Sequence, residues 1–305
     1  MPDNISVQCA SEQIDIANQI NFYVHWFSFL FSFVGLAANV LSYLTIRSAK
    51  VYNSSVVYLL ALAIWDSISL FFDGPIDSGQ MLSGFTFPSR YLQRFDEVQD
   101  WVTTSIAHWL VVIISLDRFM AVYFPIVYRS ALSKGLVALR IVIGLITINY
   151  LFMGVTVFII YEKCVQNICT VHPDWKNSNV FEYLVLSQGI APILLVLLVN
   201  SLIVFKLVIR KKSSSNKQNT SSRSSGAELL LFVVTFSFTI LGGTAQICYY
   251  WRNYSTNIQC SVLYYALGSL QSIVTVANNG INFFLYILLG KTFRIWFLNY
   301  LGFTK

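Results

Sequence analysis

Seven apolar runs dominate this 305-residue chain, at about 23–46, 54–76, 97–119, 137–160, 181–208, 227–250 and 261–289. Each is close to the roughly 20 residues that a helix rising ~1.5 Å per residue needs to cross a ~30 Å hydrocarbon core. The expected fold is therefore an all-α membrane protein, a seven-transmembrane helix bundle. Charged residues are only 11% of the chain, against roughly 25% in soluble domains.

The charges sort by loop. Of the 20 lysines and arginines, only Arg90, Arg94, Lys163, Lys176 and Arg252 fall on one side, together with most of the acids. Basic residues accumulate on the cytoplasmic side, so the N-terminus is expected outside, the C-terminus in the cytosol, and the chain in the plasma membrane. The net charge of +6 is a topology signal of this kind and does not suggest a nucleic-acid groove. No basic leader precedes an apolar core in residues 1–20, so the first helix is expected to act as its own anchor. Sequons at Asn4 and Asn253 fit outer glycosylation, whereas those at Asn53 and Asn219 would face the cytosol.

This divides the chain into an outer tail (1–22), the seven-transmembrane domain (23–290) and a last segment (291–305). The polar insertion Lys211–Gly226 reads as a flexible cytoplasmic loop, either phosphorylated or simply solvated. Phe293, Trp296, Phe297, Tyr300 and Leu301 recur at helical spacing behind basic Lys291 and Arg294, the stripe of a helix lying in the membrane interface. No cysteine follows Cys260, so this helix lacks a palmitoylation site.

Asp66 falls near the middle of the second run, where an ionised side chain costs ~2.5–3.5 kcal/mol. Asn39, Asn278, Asn279 and Asn282 are its candidate partners, with Asn278 and Asn282 one turn apart on a common face. The set reads either as a structural hydrogen-bond knot or as a hydrated, cation-binding switch.

Asp117-Arg118-Phe119 closes the third run. It joins Gly35-x-x-x-Asn39, Leu62-Ala63-x-x-Asp66, Pro125, Pro192, Asn282-Phe283-Phe284-Leu285-Tyr286 and Phe293-Arg294 in the order and helices of the rhodopsin-like G-protein-coupled receptors, which the chain resembles over nearly its whole length. The seventh-helix wording is most similar to invertebrate FMRFamide- and myosuppressin-type neuropeptide receptors, which carry Phe or Tyr where most relatives have Pro. The resemblance implies that Arg118 meets a heterotrimeric G protein, that Asp117 restrains it at rest, and that Asn282 and Tyr286 relay the change. It also implies a sodium-linked hub at Asp66 and Asn39, and arrestin as a further partner.

Departures from the family put the sodium ion and the usual toggle in doubt. Gln93 stands where a disulfide cysteine is usual, Ala107 where a serine often helps bind sodium, and Asn200 where Tyr is commonest. The fourth helix has no Trp. The sixth lacks Trp-x-Pro, offering Ile240-Leu241-Gly242 if Phe236 is the aligned aromatic.

Asp96, Glu97, Asp100 and Trp101 open the third helix. Asp100 lies about 27 Å above Arg118 at ~1.5 Å per residue, the position at which the resemblance puts the acid that holds a ligand's positive charge. Asp73 and Asp77 would add to a negative mouth. For Asp96 and Glu97 the favoured reading is that they suit the helix N-terminus or pair with Arg94. The expected ligand is a short peptide, with a biogenic amine or other small molecule as the alternative.

Cys9, Cys164, Cys169 and Cys260 lie on the oxidising side. Cys164–Cys169 with Cys9–Cys260 is the favoured pairing, although four cysteines allow three; Cys248 is expected reduced inside the sixth helix. No metal-spaced pair exists among His25, His108 and His172, and there is no nucleophile elbow, so an enzyme is not expected. The seventh run lacks the lysine that retinal needs. A seven-helix transporter is the alternative of another class, although such proteins usually show internal repeats, and the two halves here look unlike each other.

Overall fold

The computed structural model describes residues 11–84, 90–161, 164–165, 168–169, 186–214, 225–254 and 262–303. Helix α1 (Ser11–Ser48) is followed by α2 (Ser54–Phe71), α3 (Arg90–Tyr123), α4 (Gly135–Tyr161), α5 (Ala191–Ser214), α6 (Ser225–Tyr254), α7 (Val262–Gly280), α8 (Asn282–Leu289) and α9 (Lys291–Tyr300). Between α4 and α5 lies a hairpin of β1 (Cys164–Val165) and β2 (Ile168–Cys169).

Among the described residues, five helical segments are long and apolar enough to cross a membrane, and α7 with α8, bent by 47°, makes a sixth. The remaining apolar run lies within α6. Helix α1 begins at Ser11, so part of the expected outer tail is helical. Leu151 of α4, Leu194 and Phe205 of α5 and Ile247 of α6 point outward, as residues facing lipid should.

Helix α1 packs on α2 and α7, α2 on α3 and α4, α3 on α4 and α5, α5 on α6, and α6 on α7. The ring closes around α3, whose Val102, Ile106 and Leu110 are fully buried against Leu62 and Val196. Lipid tails are as apolar as leucine, so helices here associate through close packing and polar contacts. Ser28, Ser32, Ser42 and Thr45 accordingly form the buried stripe of α1. Gly35 of α1 meets Gly280 of α7: a Cβ added at Gly35 would stand 3.1 Å from Gly280 Cα.

Asn53 starts α2 by accepting the Val56 N–H at 3.0 Å, the usual work of an N-cap asparagine. Beyond Phe71 the helix widens into a π-helical stretch, Phe72–Ser78, around Pro75. A second π-helical stretch, Leu186–Ile190, leads into α5. Such stretches recur where helices serve function, because the extra residue re-aims the side chains that follow.

The bend between α7 and α8 falls at Ile281, in a segment without proline. Asn39 Nδ2 of α1 donates to the Asn279 carbonyl at 3.0 Å, and a side chain entering the backbone ladder is a recognised cause of kinks. Helix α9 then packs Phe293 into the bundle against Phe283 and Tyr286, with ring centroids 6.0 and 5.4 Å apart. Of the expected stripe, Phe293, Trp296 and Phe297 pack against the bundle, while Tyr300 and Leu301 are exposed.

Candidate functional site

At the end of the bundle where α1 begins, a cavity of about 610 Å³ opens between α1, α2, α6 and α7 and reaches Thr104 of α3. Pockets of roughly 300–1,000 Å³ suit small organic ligands. The π-helical stretch after α2 carries Asp73 and Asp77 to its wall, α1 brings Asn21 and His25, α6 brings Gln246 and Arg252, and α7 brings Ser269 and Gln271. Asp73 accepts from Ser69 Oγ at 3.3 Å, and His25 Nδ1 lies 3.4 Å from Ser78 Oγ. Asp100 stands one turn further along α3 on the face that carries Thr104. The side chains of Asp96, Asp100 and Trp101 lie outside the described residues.

Beneath the cavity floor, His108 is buried, with Nδ1 3.1 Å from the Gln188 carbonyl and its ring edge-on to Phe238 at 5.1 Å. The aromatic of α6 that faces the core is thus Phe238, 4% exposed, and not Phe236, which is 51% exposed. Residues two apart on a helix lie ~200° apart around its axis, so counting by motif selected the lipid-facing neighbour.

Deeper still, Asp66 is 2% exposed and accepts from Asn282 Nδ2 at 2.7 Å. Asn39 does not reach Asp66; it takes the Asn279 carbonyl, while Asn279 Nδ2 donates to Ser69 Oγ at 2.9 Å. Asn278 joins Asp66 and Asn282 around a cavity of about 10 Å³, the room of roughly one water. Its remaining lining is apolar and includes Ala107 and Val111 where further oxygens would have to stand. The residues present therefore do not fit a sodium ion with its shell of oxygen ligands.

At the opposite end, Asp117 is buried and its Oδ2 accepts from Ser55 Oγ of α2 at 3.2 Å and from Tyr128 OH at 3.1 Å. Ser54 Oγ lies 2.9 Å from the same Tyr128 oxygen. Asp117 thus ties α3 to α2 and to the turn beyond Pro125, and Arg118 is not its partner. Consecutive residues on a helix point ~100° apart, which explains why Asp117 and Arg118 meet different neighbours. Among the described residues, Arg118 Nε is buried without a hydrogen-bond partner. Behind it, Asn200 Nδ2 donates to Ser115 Oγ at 3.4 Å and Tyr123 OH to the Leu202 carbonyl at 2.8 Å, joining α3 to α5.

The hairpin register sets Cys164 directly opposite Cys169. Cys248 is a buried free thiol of α6. Asn253 lies in the last turn of α6, not in the loop expected from the sequence, because the helix continues to Tyr254. Asn4, Cys9 and Cys260 lie outside the described residues.

The family model of the serpentine type 7TM GPCR chemoreceptor Srx matches residues 29–286, most of the chain and every helix of the ring. The chain belongs to the Srx family. The match carries the likeness to G-protein-coupled receptors read from Asp66, Asp117-Arg118 and Asn282–Tyr286, and does not extend to the FMRFamide- and myosuppressin-type subgroup. As an Srx protein, the chain is a multi-pass membrane receptor of a class that joins an extracellular ligand to a G protein.

Arg252 and Phe238 were both missed in the sequence as site residues. Arg252 was counted only as a loop charge, although its place in the last turn of an apolar helix is the signal that could have found it.

Proposed function

We propose that this receptor sits in the plasma membrane with its N-terminus outside, binds a ligand carrying a positive group in the cavity between α1, α2, α6 and α7, and activates a heterotrimeric G protein at Arg118. The observation that carries the reading is the pair Asp73 and Asp77 in the cavity wall, with Asp100 one turn above Thr104. A carboxylate in a partly desolvated pocket forms strong charge-assisted hydrogen bonds with an amine or guanidinium. The ligand is a short peptide seating one basic end, or an amine that enters whole; the cavity volume suits either. Asn4 and Asn253 would carry glycans, Cys164–Cys169 and Cys9–Cys260 would close the outer loops, and arrestin would follow the G protein at the inner face.

The test is a cellular calcium or cAMP screen with amines and short basic peptides, repeated on Asp77→Asn and Asp100→Asn. Losing one partner of a buried charge pair costs ~2–5 kcal/mol, so potency should fall at least tenfold in one or both variants. Unchanged potency in both, or activation confined to ligands without a basic group, rejects the reading. Substrate flux without a G-protein response would favour a transporter.

A further inference from the structure

The side of the cavity built by α6 and α7 holds a cation, Arg252. Arg252 of α6 lays its guanidinium carbon 4.6 Å from the Tyr264 ring centroid. It rests on Gly268 of α7, where an added Cβ would stand 2.7 Å from Nη1 and 3.0 Å from Cζ. A glycine there leaves the guanidinium room to lie flat on α7 at the cavity edge. Among the described residues, its Nε is buried without a hydrogen-bond partner. Gln271, one turn along α7 and lining the same cavity, likewise buries Oε1 without a partner.

Stacking on Tyr264 accounts for the pose of Arg252 but not for the stranded donor, since burying an N–H unmatched costs more than the stacking face requires. Arginine stays charged at any working pH and offers a planar fork of donors that matches the two oxygens of a carboxylate. An acceptor at Arg252 and a donor at Gln271 would complete both groups from one bound molecule.

We propose that the cavity binds a carboxylate at Arg252. Taken with the basic group assigned above to Asp73, Asp77 and Asp100, on which this step rests, the ligand is a small zwitterion: an amino-acid-like molecule or the free C-terminus of a very short peptide. The Arg252 side of the site selects acids over their amides.

The experiment uses the full-length receptor, both in cells and purified in detergent. A panel of free amino acids and dipeptides is compared with the same compounds as C-terminal amides, by signalling and by thermal stabilisation. Free acids should act at concentrations at least about tenfold below their amides. Arg252→Gln should erase that preference, and Arg252→Lys, which keeps the charge and loses the fork, should retain part of it. If Arg252→Gln fails to reach the cell surface, the Lys variant alone decides, by a reduced acid-over-amide ratio. Amides matching acids, a preference that survives both substitutions, or a panel in which no carboxylate stabilises the receptor overturns the proposal. Carboxylates without an amino group that bind as tightly as the zwitterions, and lose binding in Arg252→Gln, would leave the Arg252 site standing and remove the basic-group reading.

Discussion

Replacing Gly35 by alanine should loosen the seam between α1 and α7. A Cβ at Gly35 would stand 2.8 Å from Leu70 Cδ1 and 3.1 Å from Gly280 Cα. Carbon pairs rest at about 3.5–4.0 Å, so the two contacts are short by roughly 0.7 and 0.4 Å or more. Leu70 is fully buried and the second atom is backbone, so relief at the Leu70 methyl alone is not enough and α1 itself must move. Overpacking of this kind costs about 1–3 kcal/mol. The same shift would lengthen the 3.0 Å bond from Asn39 to the Asn279 carbonyl, one turn along α1. Gly280→Ala should be the milder change, because the tightest contact of its Cβ is a ring atom of Phe31 at 3.1 Å and the backbone atom, Gly35 Cα, stands at 3.4 Å. Thermal denaturation of the detergent-solubilised receptor measures both. Adding Leu70→Val to Gly35→Ala removes the colliding Cδ carbon and should recover about 1 kcal/mol relative to the sum of the single changes. A Gly35→Ala protein that melts like the parent, or a double variant that is simply additive, would refute the reasoning.

Arg118→Ala should abolish G-protein activation while sparing surface expression and ligand binding; signalling at the parent level would remove Arg118 from the mechanism. Tyr128→Phe deletes one of the hydroxyls on Asp117, and Asp117→Asn weakens both bonds, so basal signalling should rise in the order parent, Tyr128→Phe, Asp117→Asn. A Tyr128→Phe baseline above that of Asp117→Asn would break this order. Directly opposed residues of an antiparallel pair lie about 4.5–5.5 Å apart at Cα, within disulfide range, so mass mapping should recover a Cys164–Cys169 peptide; both thiols free would reject the bridge.

The spans were legible because hydrocarbon permits so few backbone solutions. Asp66 announced its need of a partner for the same reason, and Asn282, distant in sequence, supplies it. Asn39 was assigned to Asp66 and instead serves the Asn279 carbonyl: a backbone acceptor leaves no mark on a sequence, whereas a carboxylate does. Phe236 and Phe238 are both apolar in an apolar helix, and only the packing against His108 separates them. Asp73 and Asp77 stood out from their place at the end of the second run, and both line the cavity. Arg252 was only half legible: its place in the last turn of an apolar helix was a signal, but its pose depends on Gly268 and Tyr264, which come from another helix.

A proline kink is written into the covalent chain and persists whatever its neighbours do. The angle between α7 and α8 is instead conditional, lent by an asparagine on another helix. A straight helix over residues 262–289 would measure about 42 Å at ~1.5 Å per residue. The curvature is thus a gauge of where α1 sits. A displacement of α1 would act first on the bond from Asn39, which stands between α1 and the segment that leads through Ile281 to Tyr286.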